Sequence, residues 1–299
     1  MYPKYIELIK DKKRLNELID LADRLWESCE LCGRRCRIDR NKKTGPCLDS
    51  KDIKVASFAV HNGEEPPISG NKGAGNVFFS GCSLNCEFCQ NYPISQLFVG
   101  NELSIDEFAE KLIKLQKKGV HNINLVTATH LTPLVFKGII KAAELGLNIP
   151  IIYNSSGYDT LQNYSLLREF VDVFLPDVKY IDDGLAKKYS NIKDYNKINI
   201  DLIKAINKDN PENIYEDGMI KKGLVIRHLV LPFEIDNTYK VIDELINIDK
   251  DMTLSVMNQY FPAFNRAEKT AEKLDSICYN RILDYIVDNN MENVWIQEE

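Results

Sequence analysis

The chain has no run of about 18 consecutive apolar residues, so no segment is expected to cross a membrane as a helix. Internal repeats and low-complexity tracts are also missing, which leaves one main domain with a small appendage as the expectation. Nor is there an excess of positive charge: 38 Lys and Arg stand against 44 Asp and Glu, a formal net charge of −6. That balance weighs against a broad nucleic-acid or anionic-membrane surface, and neither is expected as a partner. The densest basic stretch, Arg34 to Lys43, is interleaved with cysteines and reads as a solvated face around a metal site. The first residues, MYPKYIELIKDKKRL, read as an amphipathic helix rather than a signal peptide, so a cytoplasmic location is expected.

What is present is enough apolar content, 44% of 299 residues, for one large core. Cysteine is the distinctive residue: seven of the eight lie within the first 89 positions. In a cytosolic chain of this length such clustering points to metal rather than disulfides. The eighth, Cys278, falls in a late helical pattern and reads as a buried core residue.

Gly81 to Asn91, GCSLNCEFCQN, sets Cys82, Cys86 and Cys89 at a C-x3-C-x2-C spacing directly after the apolar run Val77-Phe78-Phe79. Thiolates are the usual ligands of iron–sulfur clusters, and a four-iron cluster normally takes four. Three would leave one iron open, and an open position distinguishes a catalytic metal site from a closed structural one. A zinc knuckle with a distant fourth ligand is the alternative, although zinc knuckles favour C-x2-C pairs on hairpins.

Upstream, apolar positions from Ile6 to Trp26 recur with a helical period and predict one or two helices between about Pro3 and Ser28. Cys29, Cys32, Cys36 and Cys47 then follow at a C-x2-C-x3-C-x10-C spacing, which suits a tetrahedral zinc site or a second iron–sulfur cluster. A strand is expected at Val55–Val60. After it, HNGEEPPISGNKGAGN carries too much Pro and Gly for regular structure and reads as a shaped loop beside the cysteine triplet. Its His61, Glu64 and Glu65 are either parts of a solvated turn or groups that face a substrate.

From Val77 onward strand and helix patterns alternate, the sign of βαβ units and a parallel sheet. Ser104 to Glu107 forms a capping-box pattern that opens a helix to about Lys118. Strands are predicted at Val77–Ser80, Ile123–Thr127, Ile149–Tyr153, Val171–Leu175, Leu224–Leu231 and Leu254–Met257. Helices are predicted at Pro133–Leu145 and about Ala267–Asp288, and Val294–Ile296 adds a last strand. Six βα units result. The expected fold is α/β, a partial (β/α)6 barrel of the TIM type (residues 55–299) with an N-terminal helical and cysteine-rich extension (residues 1–54). Parallel sheets of this kind bind ligands at the carboxyl ends of their strands. Those ends read Cys82 to Cys89, Thr127 to His130, Asn154 to Tyr158, Asp177 and Lys179, and Asn258 to Tyr260, with Arg227 inside the fifth strand. Hydroxyl, amide and charged groups at every end suit a polar cofactor pocket. Asp177 and Lys179, two residues apart, share one side of their strand. Arg227 points inward if its strand buries one face, and His228 then points the other way. His130 serves either a cap or the pocket.

The cysteine triplet resembles that of the radical S-adenosylmethionine (SAM) superfamily. The order of the strand ends resembles the branch that contains pyruvate formate-lyase activating enzyme, over about Asn76 to Tyr260. The four-cysteine leader, HNGEEPPISG, NLVTATH, LPDVKY and RHLVLP resemble uncharacterised activase-like proteins more closely still. The resemblance implies a 4Fe–4S cluster on Cys82, Cys86 and Cys89 whose fourth iron is chelated by SAM. Reductive cleavage of SAM would then give a 5′-deoxyadenosyl radical that abstracts hydrogen from a substrate. It also implies SAM contacts from Phe88, Asn91, Thr127, Asn154, Ser156, Asp177, Lys179 and Arg227, a monovalent cation nearby, and an electron donor such as flavodoxin or ferredoxin. A glycyl-radical partner protein, a peptide or a small molecule would be the substrate, met by His61, Glu64, Glu65, His130 and Tyr260. Two features depart from the branch: Thr127, Thr129 and His130 stand where a Gly-Gly-Glu motif is expected, and Tyr260-Phe261 replaces a Tyr-His pair. An electron-transfer or scaffold protein built on the clustered cysteines is the alternative, but it would leave the polar strand ends without a purpose.

Overall fold

The structure, a computed structural model, describes residues 3–48, 51–262 and 273–296. The N-terminal periodicity resolves into two helices, α1 (Lys4–Leu8) and α2 (Lys12–Glu27), the second capped by the Asp11 side chain on the Arg14 N–H. Leu15, Leu18, Ala22, Leu25 and Trp26 of α2 are buried, and with Tyr5 they join the main core instead of forming one of their own.

The strands among the described residues are β1 (Ile53–His61), β2 (Ala74–Phe79), β3 (Asn101–Leu103), β4 (Ile123–Val126), β5 (Ile151–Ser155), β6 (Val173–Pro176), β7 (Ile214–Glu216), β8 (Met219–Leu229), β9 (Thr253–Met257) and β10 (Val294–Ile296). Nine of them run in the order β10-β9-β8-β6-β5-β4-β2-β1-β3, with β7 hairpinned onto β8. From β2 to β10 every neighbouring pair is parallel, whereas β1 is antiparallel to both β2 and β3. The sheet does not close on itself, and the six βα strands form a partial barrel. The connections carry α3 (Pro66–Ser69), α4 (Tyr92–Ser95), α5 (Ile105–Gln116), α6 (Thr132–Glu144), α7 (Leu161–Leu167), α8 (Asp183–Ser190), α9 (Tyr195–Asp209), α10 (Ile235–Asp249) and α11 (Ser276–Asp288). The Ser104–Glu107 capping box forms as expected at the start of α5.

Side-chain alternation divides the sheet into two environments. Ile151 and Tyr153 of β5 and Phe174 of β6 face the helices, in the main core. Ile152, Val173, Leu175 and Val225 face the other way and pack with Ile68 and Ala74 into an apolar plug. Further along the same inner face Asn154, Asp177 and Arg227 line a cavity. The plug fills one end of the barrel, which leaves the carboxyl ends of the strands to bind ligands.

Four sequence expectations need correction. The HNGEEPPISG segment is not wholly irregular: Pro66 and Pro67 open α3, because a proline in the first helical turn forfeits no hydrogen bond, and α3 delivers Ile68 to the plug. The β8 strand starts at Met219, five residues early, because the Asp217-Gly218 turn folds it back on β7. Cys278 is half-buried on α11 rather than a core residue. The last predicted helix, about Ala267–Asp288, starts later: residues 267–272 lie outside the described residues, residues 273–275 are not helical, and α11 begins at Ser276.

Candidate active site

Immediately after β2 the chain turns through Gly81, at φ +85°, where a Cβ would lie 2.2 Å from the Cys47 carbonyl oxygen. Only glycine permits that approach, so this position ties the N-terminal module to the cysteine loop. The loop is then pinned by main-chain bonds from the Asn85 and Glu87 amides to the Ser190 and Tyr189 carbonyls at the end of α8. Each sulfur has a polar neighbour: the Leu84 N–H donates to Cys82 Sγ at 3.4 Å, Ser190 Oγ lies 3.0 Å from Cys86 Sγ, and Ser95 Oγ lies 3.1 Å from Cys89 Sγ. Burial raises the Cys82 thiol and pushes Cys86 up to about 11, which favours the protonated thiols near neutral pH until a metal takes the charge.

All three cysteines line a cavity of about 230 Å³, together with Phe88, Asn91, Thr127, Asn154, Ser156, Asp177, Lys179 and Arg227. Every residue that the resemblance marked for SAM contact therefore borders the same space. The Lys179 ammonium lies 2.5 Å from Asp177 Oδ2. Burial works to lower the Lys179 pKa, but Asp177 and the neighbouring cysteine sulfurs outweigh it and hold the group charged above its usual range. The Tyr195 hydroxyl orders this wall, accepting from the Lys179 N–H at 3.0 Å and reaching the Ser156 and Asp177 carbonyls at 2.9 and 3.1 Å. Thr127 adopts φ +63°, unusual for a β-branched residue, where β4 meets the cavity.

A second cavity of about 380 Å³ adjoins the first and shares Gln90, Asn91, Asn154, Arg227 and Gln259 with it. His61, Glu64 and Glu65 line it, on the β1–α3 connection. Arg227 turns towards these carboxylates: its Nε donates to Glu65 Oε1 at 2.7 Å, and its Nη2 bonds both Glu65 Oε2 and Glu64 Oε2. Burial alone would raise the Glu65 carboxyl, yet the Arg227 guanidinium holds it below the usual range. Glu64 also accepts from Asn76 Nδ2 at 2.6 Å and faces His61 Nδ1 at 3.1 Å. His228 points the opposite way, with Nδ1 2.6 Å from the Val178 carbonyl and Nε2 2.9 Å from Thr238 Oγ1.

Two candidates lie off both cavities. His130 is buried, with Nε2 on the Ser80 carbonyl at 2.8 Å. Tyr260 packs with Phe88 and Phe233 in an aromatic cluster, at ring distances of 6.3 and 5.5 Å. Conversely, Ser95, Ser190 and Tyr195 were not singled out by sequence. Ser190 and Tyr195 reach the site from helices 100 residues or more after the cysteines, and no local pattern marks them.

Three thiols and a set of polar strand ends around one cavity in an open parallel barrel define a protein that works on a ligand at its strand ends. Residues 76–246, more than half of the chain, match the family model of the Radical SAM superfamily, and the chain belongs to that superfamily of enzymes. An uncharacterised protein of Methanocaldococcus jannaschii is 29% identical over 259 residues, 84% of this chain and 71% of that one. A protein of Clostridium pasteurianum named pyruvate formate-lyase-activating enzyme is 28% identical over 202 residues, 64% of this chain and 78% of that one. Among solved structures, Streptococcus suis SuiB bound to S-adenosylmethionine has a TM-score of 0.53 at 15% identity, covering 73% of this chain and 48% of SuiB. HydG, a maturase of the [FeFe]-hydrogenase, has a TM-score of 0.53 at 12% identity, covering 99% of this chain and 66% of HydG. These two likenesses show the fold. The superfamily implies a 4Fe–4S cluster and SAM, and the donor chemistry fits: three thiols with hydroxyl or amide neighbours, facing a cavity that also holds an ammonium–carboxylate pair.

Proposed function

We propose that this protein reductively cleaves SAM and uses the radical to take a hydrogen atom from a substrate. The observation that carries this reading is the single cavity shared by Cys82, Cys86 and Cys89 with Asp177 and Lys179. Cys82, Cys86 and Cys89 would hold the cluster, which would supply one electron to SAM so that it parts into methionine and the 5′-deoxyadenosyl radical. Lys179 offers a fixed positive charge to a carboxylate, and Asp177 an acceptor to an ammonium or hydroxyl group. Asn154 and Ser156 add neutral donors and acceptors from the next strand, and Phe88 brings an apolar face against the same space. The second cavity would take the substrate, beside His61, Glu64 and Glu65. Its carboxylates exceed its one guanidinium, which favours a substrate that brings a hydrogen-bond donor or a positive charge. The likeness to an activating enzyme supports a glycyl-radical partner protein as that substrate, with a flavodoxin- or ferredoxin-class donor supplying the electron.

The test is anaerobic. Protein reconstituted with iron and sulfide is reduced and mixed with SAM, and 5′-deoxyadenosine is measured by chromatography. Its formation in the parent protein and loss in Cys86→Ala is the expected result. A loaded cluster whose spectrum does not respond to SAM would overturn the proposal.

A further inference from the structure

We propose that Ser190 and Ser95 donate hydrogen bonds to the cysteine ligands of the catalytic cluster and, with Tyr180 behind Ser190, raise its reduction potential. This rests on the reading of Cys82, Cys86 and Cys89 as cluster ligands. Ser190 is the last residue of α8 and is fully buried, as is Tyr180. Ser190 Oγ lies 3.0 Å from Cys86 Sγ and 2.8 Å from the Tyr180 hydroxyl. Ser95, the last residue of α4, sets its Oγ 3.1 Å from Cys89 Sγ.

Ligation fixes which atom donates. A cysteine sulfur bound to iron has lost its proton, so it can only accept. Ser190 must then give its proton to Cys86 Sγ, and its oxygen is left to accept from the Tyr180 hydroxyl. The result is a one-way chain from Tyr180 through Ser190 to Cys86, in which each bond strengthens the next. By the same reasoning Ser95 donates to Cys89 Sγ. The Leu84 amide serves Cys82 at 3.4 Å, so with the two hydroxyls every sulfur of the triplet meets a donor.

Packing alone does not call for a hydroxyl at the end of α8. The Asn85 and Glu87 amides are held there by main-chain carbonyls, a role that any residue at position 190 would fill. Ala186, Tyr189 and Ile192 share one apolar cluster with Leu84 and Tyr180, a setting in which alanine would pack as well. A hydroxyl buried in such surroundings needs partners, and Ser190 finds them in Tyr180 and Cys86. Donors aimed at thiolate sulfurs draw electron density from the ligands and favour the reduced cluster, which carries one more negative charge. Ser190 and Ser95 would thus bring the cluster within reach of a donor of the flavodoxin or ferredoxin class.

The test is an anaerobic redox titration of the reconstituted full chain without SAM, followed through the electron paramagnetic resonance signal that Cys86→Ala abolishes. Ser190→Ala and Ser95→Ala should each keep the iron and acid-labile sulfide of the parent protein and shift the midpoint to more negative potential. Tyr180→Phe keeps the ring and the Ser190–Cys86 bond but ends the chain, so it should shift the midpoint the same way and by less. Should Ser190→Ala fail to hold iron, Tyr180→Phe decides in its place. A midpoint that stays put, or moves to more positive potential, in a variant with its iron in place would overturn the role of that donor. Loss of iron from all three variants would overturn the proposal in favour of a purely structural role. A parent protein that takes up no iron would sink both this proposal and the proposed function. SAM is then added to the parent protein: if it alters no signal while the shifts are present, the proposed function fails and the donor assignment stands.

Discussion

Arg227 on β8 and Glu65 at the start of α3, 162 residues apart in sequence, meet through two hydrogen bonds of 2.7 and 2.5 Å in a parallel, fork-to-fork pair. The pair spans the barrel interior, from the connection next to the edge hairpin to a strand on the far side of the cavities. With side chains 12% and 7% exposed, it belongs to the class in which removing one partner strands the other's charge. Arg227→Ala should therefore cost about 3–5 kcal/mol of stability, measured by urea unfolding. The sign of the pH effect follows from the depressed Glu65 carboxyl. Its contribution is complete above the ordinary carboxylate pKa of 4.5 and is lost as pH falls through its lower folded value. Glu65→Gln should flatten the stability profile in that acid range, and an unaltered profile would show that Arg227 does not hold Glu65 ionised.

Lys179 and Asp177 are expected to act on SAM rather than on the cluster. Replacing Lys179 with Met removes a charge-assisted hydrogen bond worth about 1.5–3 kcal/mol, so SAM affinity should fall roughly tenfold or more. Iron content should stay at the level of the parent protein. Equilibrium binding of SAM to the reconstituted variant checks this, and an unchanged affinity would remove Lys179 from the SAM site.

Much of this site was legible because parallel strands end where ligands bind, so a cysteine loop after one strand directs attention to the ends of the others. The alternation that sends Arg227 inward and His228 outward follows from a two-residue period and needs no tertiary information. What Arg227 meets was not legible. Glu64 and Glu65 reach it only because α3 holds the β1–β2 connection against the barrel, and a segment rich in Pro and Gly gives no periodic signal of that placement. Ser190 and Tyr195 were missed for a related reason: helix ends approach the cysteine loop through packing, which composition does not encode. His130 follows a strand like the true lining residues, but the one-turn helix after β4 rotates it onto the Ser80 carbonyl instead.

His228 and His130 are both fully buried and neutral, with burial lowering each to about 4 from an ordinary 6.5. Below pH 6.5 the unfolded chain takes up protons that the folded chain refuses. Stability should accordingly decline as pH drops from about 6.5 towards 4 and then level off for these two groups. A difference of this size corresponds to about 3 kcal/mol for each histidine. His228→Gln can still bond the Val178 carbonyl and should reduce the pH slope in that window by close to one proton. Urea titrations at several pH values test it, and a variant that parallels the parent would mean that His228 is protonated in the folded state.

Gly157, at φ +68°, closes the β5 turn, where a Cβ would lie 2.1 Å from Asn199 Nδ2 and 2.3 Å from the Asp177 carbonyl oxygen. Asn199 Nδ2 donates to the Gly157 and Asp177 carbonyls, each at 2.9 Å, so the glycine lets one side chain tie two strand ends together beside the cavity. Gly146 offers a control, since it has φ +100° but a Cβ there would meet no atom within 4 Å. Gly146→Ala should cost only the conformational penalty of the left-handed region, about 1–2 kcal/mol. Gly157→Ala adds the loss of the Asn199 bonds, at about 1–3 kcal/mol for a buried polar group left unsatisfied, and should be the more damaging by that margin. It should also weaken SAM binding, because Asp177 cannot keep its position once Asn199 is displaced, while Gly146→Ala should leave binding untouched. Equal destabilisation by the two substitutions would show that the turn relaxes around the extra methyl and that Asn199 does not fix the strand ends.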